Sequence, residues 1–152
     1  MDRNQHVRFA IMQGQFESQI IAAELVNRTT PIEKGDVRKW RQRATTSAIG
    51  LTALVSRIDH VHPAVTQVVS NAKVLIDDLV RDLAVLEKLV EEDRQPEHEL
   101  IAWIISPHTA LLELMDLYDE RMRDIQSALD DGDDALPIKR LGHWGSARRG
   151  DI

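Results

Sequence analysis

A repeating pattern of apolar residues constrains this chain more than any other feature of its sequence. From position 37 to 61, apolar or small residues recur at alternating steps of three and four, at Val37, Trp40, Ala44, Ser47, Leu51, Leu54, Ile58 and Val61. This spacing places all of them on one side of an α-helix, and that side has to be buried against another helix to leave water. The pattern therefore predicts long helices that pack along their length.

Two later segments carry the same kind of pattern. Both follow the steps 3-4-3-4-4-3-4, the first at Val65, Val68, Ala72, Leu75, Leu79, Leu83, Leu86 and Val90, the second at Ile104, Pro107, Leu111, Leu114, Tyr118, Met122, Ile125 and Leu129. These steps follow the 3.6-residue period of a straight helix, whereas the strict seven-residue repeat of the 37–61 segment is typical of a slightly supercoiled, coiled-coil-like helix.

The first part of the chain predicts a further helix, from about Asn4 to Asn27. Its packing face is predicted to consist of Phe9, Met12, Phe16, Ile20, Ala23 and Val26. The period here is less regular than in the later segments. Gly14 also weakens the prediction, because glycine costs about 1 kcal/mol relative to alanine inside a helix.

Proline residues and capping signals predict where the helices begin and end. Thr30, Pro31 and Glu33 follow the order of a capping box, so a second helix is predicted to start there and to continue to about His60. Pro63 is predicted as the first residue of a third helix, which runs to about Asp93. A fourth helix is predicted to begin at Pro96, to bend at Pro107 and to stop in the segment Asp130–Asp134.

These elements predict an all-α fold, an elongated up-down antiparallel bundle of three to four long helices. Residues 1–136 are predicted to form the helical domain. No helical period continues beyond it, so residues 137–152 are predicted to form an extended, basic C-terminal tail. Strand signals are absent, since only 4% of the residues are aromatic and the apolar ones are mainly Leu, Ile, Val and Ala.

The sequence also excludes several classes of protein. It contains no cysteine, which rules out disulfides and thiolate metal sites. The polar N-terminus does not resemble a signal peptide, and the longest apolar run, Leu100 to Ile105, is far shorter than the about 20 residues of a membrane span. We therefore expect a protein without a transmembrane segment, in the cytoplasm or within a soluble assembly, and without a cofactor or metal.

Charge is distributed unevenly along the chain. Residues 1–60 hold nine Lys or Arg against six Asp or Glu, residues 61–136 hold six against eighteen, and residues 137–152 hold four against one. Segments of opposite charge favour complementary contacts, either within one molecule or between neighbours. This distribution indicates a protein that binds a partner or itself.

Two basic segments are the candidate contact sites. The first, at the start of the second helix, contains Lys34, Arg38, Lys39, Trp40, Arg41 and Arg43, and the second, in the tail, contains Leu141, Trp144, Arg148 and Arg149. Basic residues in the first turns of a helix oppose the helix macrodipole, so a compensating partner is expected. Three alternatives are open for the first segment. It could pair with an acidic surface of the same or a neighbouring chain, or it could simply face solvent. It could also bind a nucleic acid, with the basic groups on the phosphates and a base stacked on Trp40.

A metal-dependent enzyme is a weaker alternative. A hairpin about residues 95 and 96 would bring Asp78 and Asp82 towards Glu113 and Asp116, and four carboxylates could hold Mg²⁺. The pair Glu113 and Asp116 resembles one half of the paired acidic motif of all-α nucleotide pyrophosphohydrolases. The other half departs from that pattern, because Gln95 stands where a glutamate would be expected.

The sequence contains no nucleophile constellation, phosphate-binding loop or series of metal ligands with the required spacing. We therefore interpret it as a non-enzymatic structural or interaction subunit that docks into a homo-oligomer or a larger protein assembly, such as a virion component. A nucleic-acid-associated helical protein that uses residues 34–43 is the first alternative. A Mg²⁺-dependent pyrophosphohydrolase is the second.

Overall fold

The computed structural model describes residues 3–56 and 62–131. Within these ranges the regular structure is entirely helical, and no strand is present. The helices are α1 (Arg3–Val26), α2 (Lys34–Val55), α3 (Pro63–Glu91), α4 (His98–Ile105) and α5 (Pro107–Asp131). The predicted all-α class is confirmed.

Helix α2 begins three residues later than the pattern at residues 30–33 predicts. Glu33 is its N-cap, and the carboxylate of Asp36 accepts a hydrogen bond from the Glu33 N–H at 3.1 Å. Asp36 also forms an ion pair with Arg28 at 2.6 Å. An acidic side chain in the first turn complements the helix dipole, so this contact stabilises the start of α2 and ties it to the end of α1.

Helix α3 has a well-defined beginning and end. Pro63 is its first residue, as predicted, and the Nδ1 atom of His62 accepts a hydrogen bond from the Ala64 N–H at 3.1 Å. The helix ends in a Schellman motif, in which the Arg94 N–H bonds the Leu89 carbonyl and Asp93 adopts a positive φ of 57°. The predicted end at about Asp93 is thus two residues too late.

The helix break at Pro107 is confined to a single residue. Ser106 separates α4 from α5, but its backbone angles, φ −63° and ψ −31°, are those of an α-helix. The apolar period also continues across it, since Ile104, Pro107 and Leu111 are all buried. The helix is thus interrupted at Ser106 alone, and the apolar pattern continues across the interruption as predicted.

The helices pack around one apolar core. Helix α2 lies against α3, helix α1 lies against both α5 and α2, and α3 also contacts α5. The core contains most of the predicted residues of α2, α3 and α4–α5. The local differences are that Leu54, Leu75, Met122 and Ile125 are only half-buried and that Leu129 is 68% exposed, whereas Ile76, next to Leu75, is fully buried. The predicted residues Ile58 and Val61 lie outside the described residues.

The predicted packing face of α1 is wrong. Phe9, Phe16 and Val26 are 50%, 57% and 62% exposed. The opposite side of α1 is buried instead, and it consists of Val7, Ile11, Gly14, Gln15, Ser18, Ile21, Ala22 and Leu25. Both sides of this helix carry apolar residues, so the period alone does not identify the one that packs.

Gly14 lies where the buried side of α1 contacts α2 and α3. A β-carbon at this position would lie 3.4 Å from Cδ1 of Ile76 on α3 and 4.0 Å from Cδ1 of Leu51 on α2. A β-carbon would thus be in van der Waals contact with both side chains, so α1 packs closely here but leaves room for an alanine.

Candidate docking surface on helix α2

The basic segment that starts α2 divides into an inner and an outer part. Trp40 is only 1% exposed and belongs to the core, and its Nε1 atom donates a hydrogen bond to Oε2 of Glu24 at 2.6 Å. The expectation that Trp40 contacts a partner or stacks on a base is therefore corrected. Trp40 belongs to the apolar period of α2, and this period correctly predicts a buried side chain. The basic residues next to it in sequence project from other sides of the helix.

Three of the basic residues form ion pairs within the chain. Arg43 pairs with Glu17 of α1 at 2.9 Å, and Lys39 lies 3.7 Å from Glu24 of the same helix. Arg41 pairs with Glu87 of α3 at 3.1 Å. The acidic counterparts thus come from α1 as well as from the acidic helix α3, and nothing in the sequence pattern singled out Glu17 or Glu24.

The other two basic residues, Lys34 and Arg38, remain available. Both are exposed, and neither forms an ion pair with any residue in the part of the chain that the structure describes. They lie in the first two turns of α2, where a positive charge opposes the helix macrodipole. Among the predicted contact residues of α2, these two are the ones with uncompensated charge.

Two shallow hollows flank the outer side of α2. The larger, about 580 Å³, is lined by Arg38, Arg41, Gln42, Thr45, Thr46 and Glu87. The smaller, about 320 Å³, lies towards α1 and shares Gln42 and Thr46 with the first. We define the α2 docking surface as Lys34, Arg38, Gln42, Thr45 and Thr46, all of which are exposed.

This surface is suited to hydrogen bonding with oxyanions. Guanidinium, amide and hydroxyl groups donate hydrogen bonds to carboxylate and phosphate oxygens, and charged donors make the stronger ones. Gln42, Thr45 and Thr46 were not among the predicted contact residues. Gln42 lies four residues after Arg38, and Thr45 and Thr46 lie three and four residues after Gln42, a spacing that could have indicated a shared face.

The carboxylates proposed for Mg²⁺ do not form a metal centre. In residues 3–56 and 62–131, no group of three or more His, Asp or Glu side chains is placed to hold a metal ion. The four carboxylates Asp78, Asp82, Glu113 and Asp116 all lie in these ranges. Asp78 and Asp82 both lie near Arg81, at 3.3 and 3.8 Å. Burial raises the pKa of Asp82, an effect that Arg81 opposes and Asp78 reinforces.

The remaining predicted contact residues, Leu141, Trp144, Arg148 and Arg149, lie outside the described residues, as does the whole segment 137–152. Within the described part, the helical stretch His98–Asp131 is long and apolar enough, by length and composition, to cross a membrane. A single helix of this kind is weak evidence of a membrane span, and 28% of its apolar 18-residue window is buried inside the structure.

Comparison of the chain with protein-family models, with curated proteins and with solved structures finds no match.

Proposed function

We propose that this protein is a non-enzymatic interaction subunit, built as an up-down antiparallel helical bundle, that docks into a homo-oligomer or a larger protein assembly. Two contact series support the antiparallel arrangement. Successive contacts from α2 to α1 join Trp40 to Glu24 and Arg43 to Glu17, so the two helices are followed in opposite directions. Arg41 contacts Glu87, and the Ile32 N–H bonds the Gln95 side chain, which gives the same result for α2 and α3.

The observation that carries the docking proposal is the uncompensated charge of Lys34 and Arg38. Their basic neighbours are neutralised by Glu17, Glu24 and Glu87, whereas these two residues face solvent at the end of the helix where positive charge is least favourable. An acidic surface on a partner protein would pair with both basic side chains and offset their unfavourable interaction with the helix dipole. Charge complementarity of this kind mainly accelerates and orients association.

The predicted tail, residues 137–152, supplies a second contact in this proposal. It carries four basic residues and the apolar side chains Leu141 and Trp144. Tryptophan and arginine are the residues most often found to dominate binding energy at protein interfaces. A virion component or a comparable assembly would use such a combination of a helical body and an anchoring tail.

The experiment is light scattering on the full chain and on a chain that lacks residues 137–152. We expect a mass above the 17.3 kDa of one chain, and a lower mass after the deletion. Replacing Lys34 and Arg38 by glutamate should weaken the association. Arg123→Glu is the matched control, because Arg123 is also exposed and forms no ion pair with a described residue. A full-length chain that stays monomeric and binds no protein partner would refute the proposal.

A second candidate function is nucleic-acid association through the α2 docking surface. The donors of Arg38, Gln42 and Thr45 in one hollow favour it, since they suit phosphate oxygens. Glu87 in the same hollow opposes it, and Trp40 is not exposed for stacking. Affinity for an oligonucleotide should then fall steeply with salt and with Arg38→Ala, whereas Arg123→Ala should have little effect. A flat salt response would exclude this function.

A further inference from the structure

The outward side of α1 is an apolar surface that no described residue covers. We define the α1 outer face as Phe9, Met12, Phe16, Ile20, Ala23 and Val26. Phe9, Met12, Phe16 and Val26 are 36% to 62% exposed, Ala23 is exposed and Ile20 is half-buried. They form one continuous stripe, whereas exposed apolar residues that occur singly need no explanation.

None of the six residues of the α1 outer face is charged, and the nearest described charge is the Arg8 guanidinium, whose Nη1 atom lies 4.0 Å from the Met12 sulfur. The described charged residues of α1 are directed sideways onto its neighbours: Arg8 binds Asp119 of α5, Glu17 binds Arg43, and Glu24 accepts the hydrogen bond from Trp40. The polar residues beside the stripe are the uncharged Gln13, Gln19 and Asn27. In a chain with 29% charged residues, a face without charge has the composition of the centre of a protein interface.

Five of the six residues of the α1 outer face are spaced symmetrically about Phe16, and the sixth, Val26, has His6 as its counterpart. Phe9 and Ala23 lie seven residues before and after it, and Met12 and Ile20 lie four residues before and after it. A two-fold axis through the middle of an antiparallel helix pair brings together residues at equal distances from the centre. We propose that a second copy of this chain packs antiparallel on the α1 outer face, with the two-fold axis passing beside Phe16.

The size of the side chains agrees with this register. Phe16 meets Phe16 of the second copy at the axis, Met12 meets Ile20 of the second copy, and the large Phe9 meets the small Ala23. Large against small is the arrangement in which facing helices interdigitate. The inference rests on the proposed function in one respect: it names the partner as a second copy and gives one of the surfaces that joins it.

The area of the face sets the expected strength of this contact. From Phe9 to Val26 the helix rises about 26 Å and is about 10–12 Å wide with its side chains, a footprint of about 300 Å² per copy. Stable interfaces bury about 800 Å² per partner, so this one belongs to the small class. We therefore expect reversible dimers with a dissociation constant of about 1 µM or weaker.

Sedimentation equilibrium on the full chain tests this proposal. Phe16→Glu places two carboxylates opposite each other at the axis, and it should raise the dissociation constant about 100-fold. Val85→Glu is the matched control, because Val85 is a 47% exposed apolar residue on α3, away from the face, and it should leave the dissociation constant unchanged. Both glutamates replace exposed side chains, so circular dichroism should show the wild-type helix content in each.

The register has its own test, since the chain contains no natural cysteine. Phe16→Cys should form a disulfide-linked dimer on mild oxidation. Phe9→Cys alone should not, because the two thiols would lie about 21 Å apart along the helices, beyond the reach of a disulfide. A mixture of Phe9→Cys and Ala23→Cys chains should cross-link to each other, and Val85→Cys should not cross-link.

Several results would overturn the inference. If the wild-type chain self-associates but Phe16→Glu and Val85→Glu behave alike, the α1 outer face is not the contact, although the proposed function stands. Cross-linking of Phe9→Cys alone would indicate parallel helices and would exclude the two-fold register. A wild-type chain that is monomeric at about 1 mM would exclude a second copy as occupant, and only its failure to bind any other protein would also refute the proposed function.

Discussion

Replacement of Trp40 by alanine should destabilise the fold strongly, although this residue lies in a basic segment that resembles a binding site. A buried tryptophan removes about 150–250 Å² from water, and at about 25 cal/mol per Å² this is worth about 4–6 kcal/mol as an upper bound. Measured costs of Trp→Ala in cores are about 3–5 kcal/mol. Since Trp40 is only 1% exposed, we expect a loss of about 4 kcal/mol.

Two comparisons separate the ring from its hydrogen bond. Trp40→Phe keeps an aromatic ring but removes the N–H that Glu24 accepts at 2.6 Å. Because the Glu24 side chain is 40% exposed and lies 3.7 Å from Lys39, water can replace the lost donor, and the cost of this variant should be about 1–2 kcal/mol. Trp103→Ala, at a residue that is 51% exposed, is the matched control and should cost less than about 1 kcal/mol.

Urea unfolding and thermal unfolding, both followed by far-UV circular dichroism, measure these differences. The melting temperature of Trp40→Ala should fall by roughly 10 °C, since a chain of this size loses about 2–4 °C per kcal/mol. If Trp40→Ala unfolds no more easily than Trp103→Ala, the indole is not a core residue. In that case the argument that assigns Trp40 to packing and not to docking is refuted.

Three further predictions follow from local features of the helices. Gly14→Ala should raise the free energy of unfolding by up to about 1 kcal/mol, because alanine favours the helix and its β-carbon would meet the flexible end of Ile76 at 3.4 Å. Gly14→Val should lower the free energy of unfolding by about 1–3 kcal/mol. The urea midpoints of the two variants should therefore shift in opposite directions from that of the wild type. Asp93→Gly should stabilise by a few tenths to about 1 kcal/mol, since φ is 57° at this residue, and an unchanged or lower midpoint would contradict the strain argument. Burial raises the pKa of Asp82 in the folded chain, so ionisation costs stability as pH rises through that pKa. Asp82→Asn should therefore increase stability near neutral pH and lose this advantage in acid, where wild type is protonated in both states; a gain that is independent of pH would exclude ionisation as its cause.

The sequence predicts the packing of α2, α3 and α4–α5 well because each has one apolar and one polar side. In α3, for example, Val65, Val68, Ala72, Leu79, Leu83, Leu86 and Val90 are all buried as expected. A single apolar side leaves one way to pack the helix. The period therefore identifies the buried side of these helices, with Leu75 and Leu129 as exceptions.

The period fails for α1 because this helix has two apolar sides. The side with the larger residues, Phe9 and Phe16, was expected inside, but the side with Gly14 and Ser18 is buried. Ser18 donates a hydrogen bond to the Gly14 carbonyl at 2.7 Å, so its hydroxyl is satisfied within the helix and can be buried. This buried side packs against Ile76 of α3 and Leu51 of α2, so the orientation of α1 depends on helices that are distant in sequence.

The ion pairs of the basic segment of α2 likewise could not be predicted from the sequence. Its charge excess is visible in the sequence, but the pairing of Arg41 with Glu87 and of Arg43 with Glu17 depends on which helices become neighbours. Lys34 and Arg38 are thus the predicted contact residues of α2 that form no ion pair with a described residue. The candidate site could be predicted as a segment, but not as the two residues that remain uncompensated.

The two proposed surfaces can be distinguished by salt, because their chemistry differs. The α1 outer face contains no charge, so a dimer formed through it should keep the same dissociation constant, or bind slightly more tightly, when the salt concentration rises. Binding through Lys34 and Arg38 is electrostatic and should weaken as the Debye length falls from about 10 Å at 0.1 M to about 3 Å at 1 M salt. Sedimentation equilibrium at these two salt concentrations, on the wild type and on Phe16→Glu, separates the contributions. If self-association of the wild type is abolished at high salt, the charged surface of α2 and not the apolar face of α1 holds the copies together.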